Sequence, residues 1–207
     1  MSRNLIVDIE TTASDKMPPL DSIKIPGNIS KPDTIAKYQI ENQEKAWRNQ
    51  ALNSLEGRII CIGYCTLDSE IVTICSHDES AVMSEFNEEV SGLMGIYNEP
   101  LVWTGWNSNA FDLVWLWRKA IQYNLPLRKF IQKDNRQLTC DLWRVFAIDY
   151  HDYVKLSVCA KFLGIEHDGA DGSEIHGLWQ AGDLEGIENH CKRDLETTRQ
   201  VFNRIYG

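Results

Sequence analysis

No run of ~18 apolar residues occurs in this chain, which excludes a membrane-spanning helix. The N-terminus passes from Arg3 into only three apolar residues before Asp8, too short a stretch for a secretory signal, so a cytoplasmic protein with no membrane partner is expected. The six cysteines include no C-x-x-C pair and are expected to be small buried thiols rather than a disulfide or zinc framework. No internal repeat or low-complexity tract is present. Positive charge is also scarce: 21 Lys and Arg face 30 Asp and Glu, a net charge of −9, which argues against tight duplex binding.

The charge is unevenly placed. Between Arg118 and Lys161, nine Lys and Arg stand against four acids, so that segment is +5 and the remainder is −14. A basic face on an acidic protein suits an enzyme that touches a polyanion at one surface, and a solvated loop region explains the same counts. With 207 residues and 43% hydrophobic composition the chain can bury one substantial core, and a single domain over residues 1–207 is expected.

Asn4-Leu5-Ile6-Val7-Asp8-Ile9-Glu10-Thr11-Thr12 reads as a strand, in which alternation turns Asp8 and Glu10 to one side and Val7 and Ile9 into the core. Two neighbouring carboxylates repel and shift each other's pKa unless a cation lies between them, and hard oxygen donors favour Mg²⁺ or Mn²⁺. The plain alternative is a solvated edge strand. Ala13 to Pro32 is Pro-rich and aperiodic and reads as a long loop, followed from a capping box at Ser30–Asp33 by a peripheral helix to about Leu55. Arg58–Tyr64 and Glu70–Cys75 read as a hairpin, and Ser76–Glu79 as a second capping box opening a helix through Val82, Phe86 and Val90. A fourth strand, Leu101 to Trp106, leads into another helix. The order predicts an α/β fold: a mixed sheet of three antiparallel strands, then parallel strands, flanked by helices.

Two further acidic positions stand out. Asp112 falls near the first turn of the helix after the fourth strand, where sites in open α/β sheets gather; alternatively it only favours the helix dipole. In the last helix, Asp183 to Tyr206, His190 and Asp194 are four residues apart and share a face, either as a metal ligand with a proton-handling group or as a surface pair. Trp103, Trp106, Trp115 and Trp117 have spacings that fit core packing better than base stacking.

Taken together, Asp8-Ile9-Glu10-Thr11-Thr12, Asn107-Ser108-Asn109-Ala110-Phe111-Asp112 and His190-Cys191-Lys192-Arg193-Asp194 resemble, in order and spacing, the three motifs of the DEDD 3′–5′ exonucleases of the ribonuclease-H-like superfamily. Leu55–Gly63, Lys155–Ile165 and Asp171-Gly172-Ser173 are similar to stretches of predicted exonucleases related to the proofreading domain of B-family DNA polymerases. The resemblance implies a ribonuclease-H-like fold and two Mg²⁺ or Mn²⁺ ions held by Asp8, Glu10, Asp112 and Asp194. It implies His190 as the residue that orients or deprotonates the attacking water, with Ile9, Thr11 and Asn107 contacting the terminal nucleotide. Single-stranded or unpaired 3′ ends of DNA, or of RNA, are the implied substrate, and proofreading would need a polymerase or repair partner on a separate chain.

One departure concerns His190. The polymerase-like branch usually has tyrosine four residues before the last aspartate, and the histidine branch places five residues between the two. This chain has histidine at the tyrosine's spacing. Two other readings stay open on the same fold: a non-catalytic nucleic-acid or protein interaction module, and a hydrolase of short oligonucleotides.

Overall fold

The computed structural model describes residues 4–97, 100–131, 138–149, 152–167, 172 and 174–207. Lys133, Asp134 and Arg136 of the basic segment, and Asp171 and Ser173 of the family resemblance, lie outside the described residues. Two compact units are formed: residues up to Glu10 together with Ile59–Gly207, and Thr11–Arg58.

The larger unit takes β1 (Asn4–Thr12) as far as Glu10 and β2 (Arg58–Thr66) from Ile59. β2 is a nearly continuous apolar run, as a strand covered on both faces must be, whereas β1 sets Asp8 and Glu10 among Leu5, Ile6, Val7 and Ile9. β3 (Val72–Cys75) returns antiparallel to β2, and Thr66 N–H donates to Ser69 Oγ at 2.8 Å in the turn between them. β4 (Val102–Gly105) pairs parallel with β1, and β5 (Thr139–Asp141) parallel with β4, giving the order β3-β2-β1-β4-β5. The mixed sheet is the expected one. β5 is not anticipated by the sequence, because three residues carry no readable period.

Alternation along β1 sorts its neighbours. Leu5, Val7 and Ile9 pack with Val82 and Phe86 of α2 (Glu79–Tyr97) and with Leu113 and Leu116 of α3 (Asp112–Gln122). Ile6, one position out of phase, packs with Ile187, Cys191 and Leu195 of the last helix. Before that helix come α4 (Leu142–Phe146), α5 (Leu156–Phe162) and α6 (Ile175–Ala181). Leu142, Cys159 and Ala160 pack with Val201 in a third cluster. Trp103 and Trp115 are fully buried, as core rather than stacking residues.

In the smaller unit, Pro32 opens its helix (Pro32–Asn49) as the first-turn residue. The expected Ser30 capping box is not formed: Lys31 occupies the cap position and no side chain bonds the helix end. Trp47 Nε1 donates to the Ser14 carbonyl at 2.7 Å, and Gln43 Nε2 to that of Pro18 at 2.9 Å, tying the Pro-rich loop to this helix.

Three other expectations are corrected. At α2 the cap is Asp78, which accepts from Ser80 N–H at 2.9 Å, and Glu79 turns inward instead of closing a capping box. Its buried carboxylate accepts from Ile59 N–H at 2.6 Å, from Lys119 Nζ at 3.1 Å and from Tyr123 OH at 2.7 Å. Lys119 is therefore an interior countercharge rather than part of a basic surface. Cys61 and Cys75, directly opposed in the β2–β3 register with Cα atoms 4.1 Å apart, are joined by a disulfide rather than kept as thiols. No described helix is long and apolar enough to cross a membrane.

The last helix, α7 (Leu184–Tyr206), starts at the expected place, with Asp183 accepting from Gly186 N–H at 2.8 Å. It lies close on β2 because Gly63 has no side chain: a Cβ there would stand 2.5 Å from both Cys191 Sγ and Leu195 Cδ1. Gly63→Ala is expected to destabilise the fold by about 1–3 kcal/mol through overpacking, read from denaturant unfolding. A variant as stable as the parent would contradict this close approach.

Candidate active site

The same alternation that buries Ile6 beneath α7 turns Asp8 and Glu10 toward that helix. His190 meets Glu10 directly, Nδ1 to Oε1 at 2.8 Å, and both side chains are buried. Cys191 Sγ lies 3.8 Å from the Asp8 carbonyl oxygen, and its sulfur and the Asp8 and Glu10 carboxylates fall within 4.8 Å of one another. Asp194, one turn beyond His190, is partly exposed.

Asp112 reaches the site from α3 for a reason rooted in the sheet. The recorded β1–β4 register runs from Asn4↔Val102 to Ile6↔Thr104, so Ile9 N–H lies beyond that parallel ladder and needs another acceptor. Asp112 Oδ1 supplies it at 3.1 Å. The turn between β4 and α3 is tight: Gly105 faces Ser108, and Asn107 adopts a left-handed φ of 57° while its carbonyl accepts from Ala110 and Phe111 N–H. Asn tolerates that backbone better than most residues.

All four predicted acids belong to one electrostatic group. Burial, then the charges of Glu10, Asp112 and Asp194, hold the Asp8 carboxyl well above the usual carboxylate range. Burial raises Asp112 to about 8, against the lowering effect of its own and Ile9's backbone N–H groups. Burial also raises Asp194 and Glu10; His190 partly offsets this in each, through its charge at Asp194 and through its hydrogen bond and charge at Glu10. For His190, burial pulls the pKa down, but the hydrogen bond and charge of Glu10, with Asp194, outweigh it and leave a net rise. The tight 4.8 Å cluster holds Asp8 and Glu10 but neither Asp112 nor Asp194, which act on Asp8 through their charge.

The donor set fits a hard divalent cation. Four carboxylates with raised pKa values form a site short of positive charge, and their oxygens match the preference of Mg²⁺ or Mn²⁺. The Cys191 thiol is pushed far up by burial and by Asp8 and Glu10, so it stays protonated and acts as a donor to β1. Among the residues expected to touch substrate, Ile9 has its N–H bound to Asp112 and its side chain buried. Thr11 lies in the smaller unit, where its hydroxyl donates to the Ala51 carbonyl at 2.6 Å.

Two residues escape the sequence reading. Asp141, at the end of β5, is buried and accepts from Asn109 N–H at 3.1 Å; an aspartate just before an apolar helical run was the available signal. His167 Nε2 stands 3.4 Å from Asp194 Oδ1, brought back by the left-handed Gly164 after α5, and no spacing marks it.

A carboxyl whose pKa is raised by folding keeps its proton longer in the folded chain than in the unfolded one. The unfolded state then binds fewer protons over that interval, and stability falls as pH rises. For Asp112 the interval runs from its ordinary 3.8 to about 8. The raised His190 pKa acts in the same direction, since the stabilising imidazolium is lost as pH rises. Chelator-treated protein is thus expected to melt at progressively lower temperature from about pH 4 to 8. Asp112→Asn keeps the acceptor for Ile9 and should make that decline shallower; an unchanged slope in thermal scans would contradict the assignment.

The chain is similar to several known proteins. A family described as a predicted 3′-5′ exonuclease related to the exonuclease domain of PolB matches residues 55–206, from just before β2 to the end of α7. An uncharacterised protein of Methanocaldococcus jannaschii is 30% identical over 160 residues, covering 73% of this chain and 87% of its own. A DNA polymerase of Archaeoglobus fulgidus is 27% identical over 161 residues, which is 71% of this chain but 20% of the polymerase. The family B DNA polymerase of Pyrobaculum calidifontis superposes with a TM-score of 0.64 at 15% identity, over 97% of this chain and 24% of that one, which shows a shared fold. The chain spans only about a fifth to a quarter of the polymerases it matches. Its α/β sheet is consistent with a ribonuclease-H-like fold, and the chain belongs to the family of predicted 3′-5′ exonucleases related to the exonuclease domain of PolB.

Proposed function

We propose that this chain is a divalent-metal-dependent exonuclease that removes nucleotides from single-stranded or unpaired 3′ ends of DNA, with RNA the other polymer its chemistry admits. The observation that carries the reading is the gathering of Asp8 and Glu10 with His190 at the end of β1, inside the field of Asp112 and Asp194. Two Mg²⁺ or Mn²⁺ ions would supply activation of the attacking water and stabilisation of the departing 3′ oxygen. Asp8, Glu10 and Asp194 would hold the ion that activates the water, and Asp112 with Asp8 the ion that stabilises the leaving oxygen.

His190 takes a more defined part than its spacing alone suggests. Its Nδ1 is held by Glu10, so in the neutral imidazole beside an ionised Glu10 the proton sits on Nδ1 and Nε2 is left as an acceptor. Nε2 is buried and has no hydrogen-bond partner among the described residues, which supports its use to orient the water or take its proton. The Glu10–His190 bond also favours a retained site over a decayed one carrying a stray substitution. Asn107, in its left-handed turn, and the strand at Ile9 would meet the terminal nucleotide.

The test is a gel of 5′-labelled single-stranded DNA and RNA with Mg²⁺ or Mn²⁺, on which products should shorten stepwise from the 3′ end. Asp8→Ala and Asp194→Ala should abolish cleavage and leave the fold intact by circular dichroism; near-parental rates in Asp8→Ala would sink the site. His190→Ala should lower turnover by roughly 10²–10⁴, with His190→Tyr retaining much of the activity. A loss below about threefold in His190→Ala at saturating metal would make it a bystander, since proton-transfer groups contribute far more than that.

A further inference from the structure

A cavity of about 480 Å³ opens beside β5, walled by Asn109, Asp141, Trp143, Arg144, Ile148 and Tyr206 among others. Because β1, β4 and β5 run parallel, the end of β5 that bears Asp141 is the same sheet end that bears Asp8 and Glu10. The Asn109–Asp141 hydrogen bond joins the cavity wall to the turn that delivers Asp112. The cavity therefore opens at the sheet end that carries the acids.

Its lining has the chemistry of a nucleotide pocket. Trp143 and Tyr206 provide aromatic surface, and the half-exposed Arg144, whose Nε stands 3.8 Å from Asp141 Oδ2, provides a cation that can also meet a phosphate at the rim. Trp143 Nε1, a donor on one of these residues, is buried and has no hydrogen-bond partner among the described residues. Asp141 and Asp149 are also on the wall and disfavour a phosphate inside it, so the base enters and the backbone stays at the rim.

We propose that this cavity receives the base of an upstream nucleotide, on the 5′ side of the bond being cut, while Arg144 meets its phosphate. This inference rests on the exonuclease reading. Two inter-strand steps of about 4.8 Å separate β1 from β5. A stacked strand advances about 3.4 Å per nucleotide, so the captured base lies roughly three nucleotides from the cut.

The experiment compares a single-stranded dinucleotide, too short to reach the cavity, with a hexanucleotide that fills it. Arg144→Gln and Ile148→Glu, the latter at a position 93% exposed and tolerant of change, are assayed beside the parent after melting curves confirm folding. The expected result is a drop of about fivefold or more in kcat/KM on the hexanucleotide, carried by KM, with the dinucleotide unchanged, as befits loss of one base and phosphate contact. Equal losses on both substrates, or none on either, overturn the proposal. A second arm measures hexanucleotide binding by fluorescence anisotropy in an Asp8→Ala background, where cleavage plays no part. Weakened binding in the Arg144 and Ile148 variants supports the cavity even if the parent cuts neither substrate, an outcome that removes only the exonuclease reading. Unchanged binding, or no binding to the Asp8→Ala protein, overturns it.

Discussion

Asp8 and Glu10 occupy same-face positions on one strand, and α7, α3 and the sheet remove much of their contact with water. Their mutual repulsion, together with the charges of Asp112 and Asp194, then has little solvent to screen it. The rest of the site responds to that constraint. Ile9 N–H and the Asp112 backbone draw on the Asp112 carboxylate, Asn109 N–H on Asp141, His190 on Glu10 and His167 on Asp194. Each contact lowers the pKa of one acid without cancelling its burial. A protein that keeps such a group folded holds some of the acids protonated or supplies divalent charge from outside.

The scaffold is arranged around close approach. Gly63 lets α7 press on β2, and Gly105 lets the β4–α3 turn fold back beneath Ser108. Both contacts bring carboxylates from separate elements to the end of β1. The interior polar anchor of Glu79 with Ile59 N–H, Lys119 and Tyr123 fixes α2 and α3 against β2 by hydrogen bonds that apolar packing could not orient. Precision at the site comes from helices and strands, with Asn107 in a left-handed backbone conformation beside it.

Much of this was legible from the chain because it follows local periodicity. The alternation of Asn4–Thr12 gave the shared face of Asp8 and Glu10, and the i, i+4 spacing gave that of His190 and Asp194. β5 and Asp141 were not legible, since a three-residue strand has no period and owes its existence to pairing with β4. His167 reaches Asp194 through tertiary folding alone. The capping boxes failed in different ways: Glu79 found a buried lysine, and at the other helix Lys31 took the cap position, where no side chain bonds the helix end. The Cys61–Cys75 bridge depends on strand register, which residue spacing does not reveal.

The claim at the centre of this account is that buried, protonated carboxylates give up protons to divalent metal. Calorimetric titration of Mn²⁺ into the chelator-treated chain at pH 7, repeated in buffers of different ionisation enthalpy, measures that exchange directly. The account predicts saturable binding of two ions per chain with net proton release, because Asp112 alone would titrate near pH 8 without metal. Binding whose heat is independent of the buffer, or no saturable binding, would contradict it.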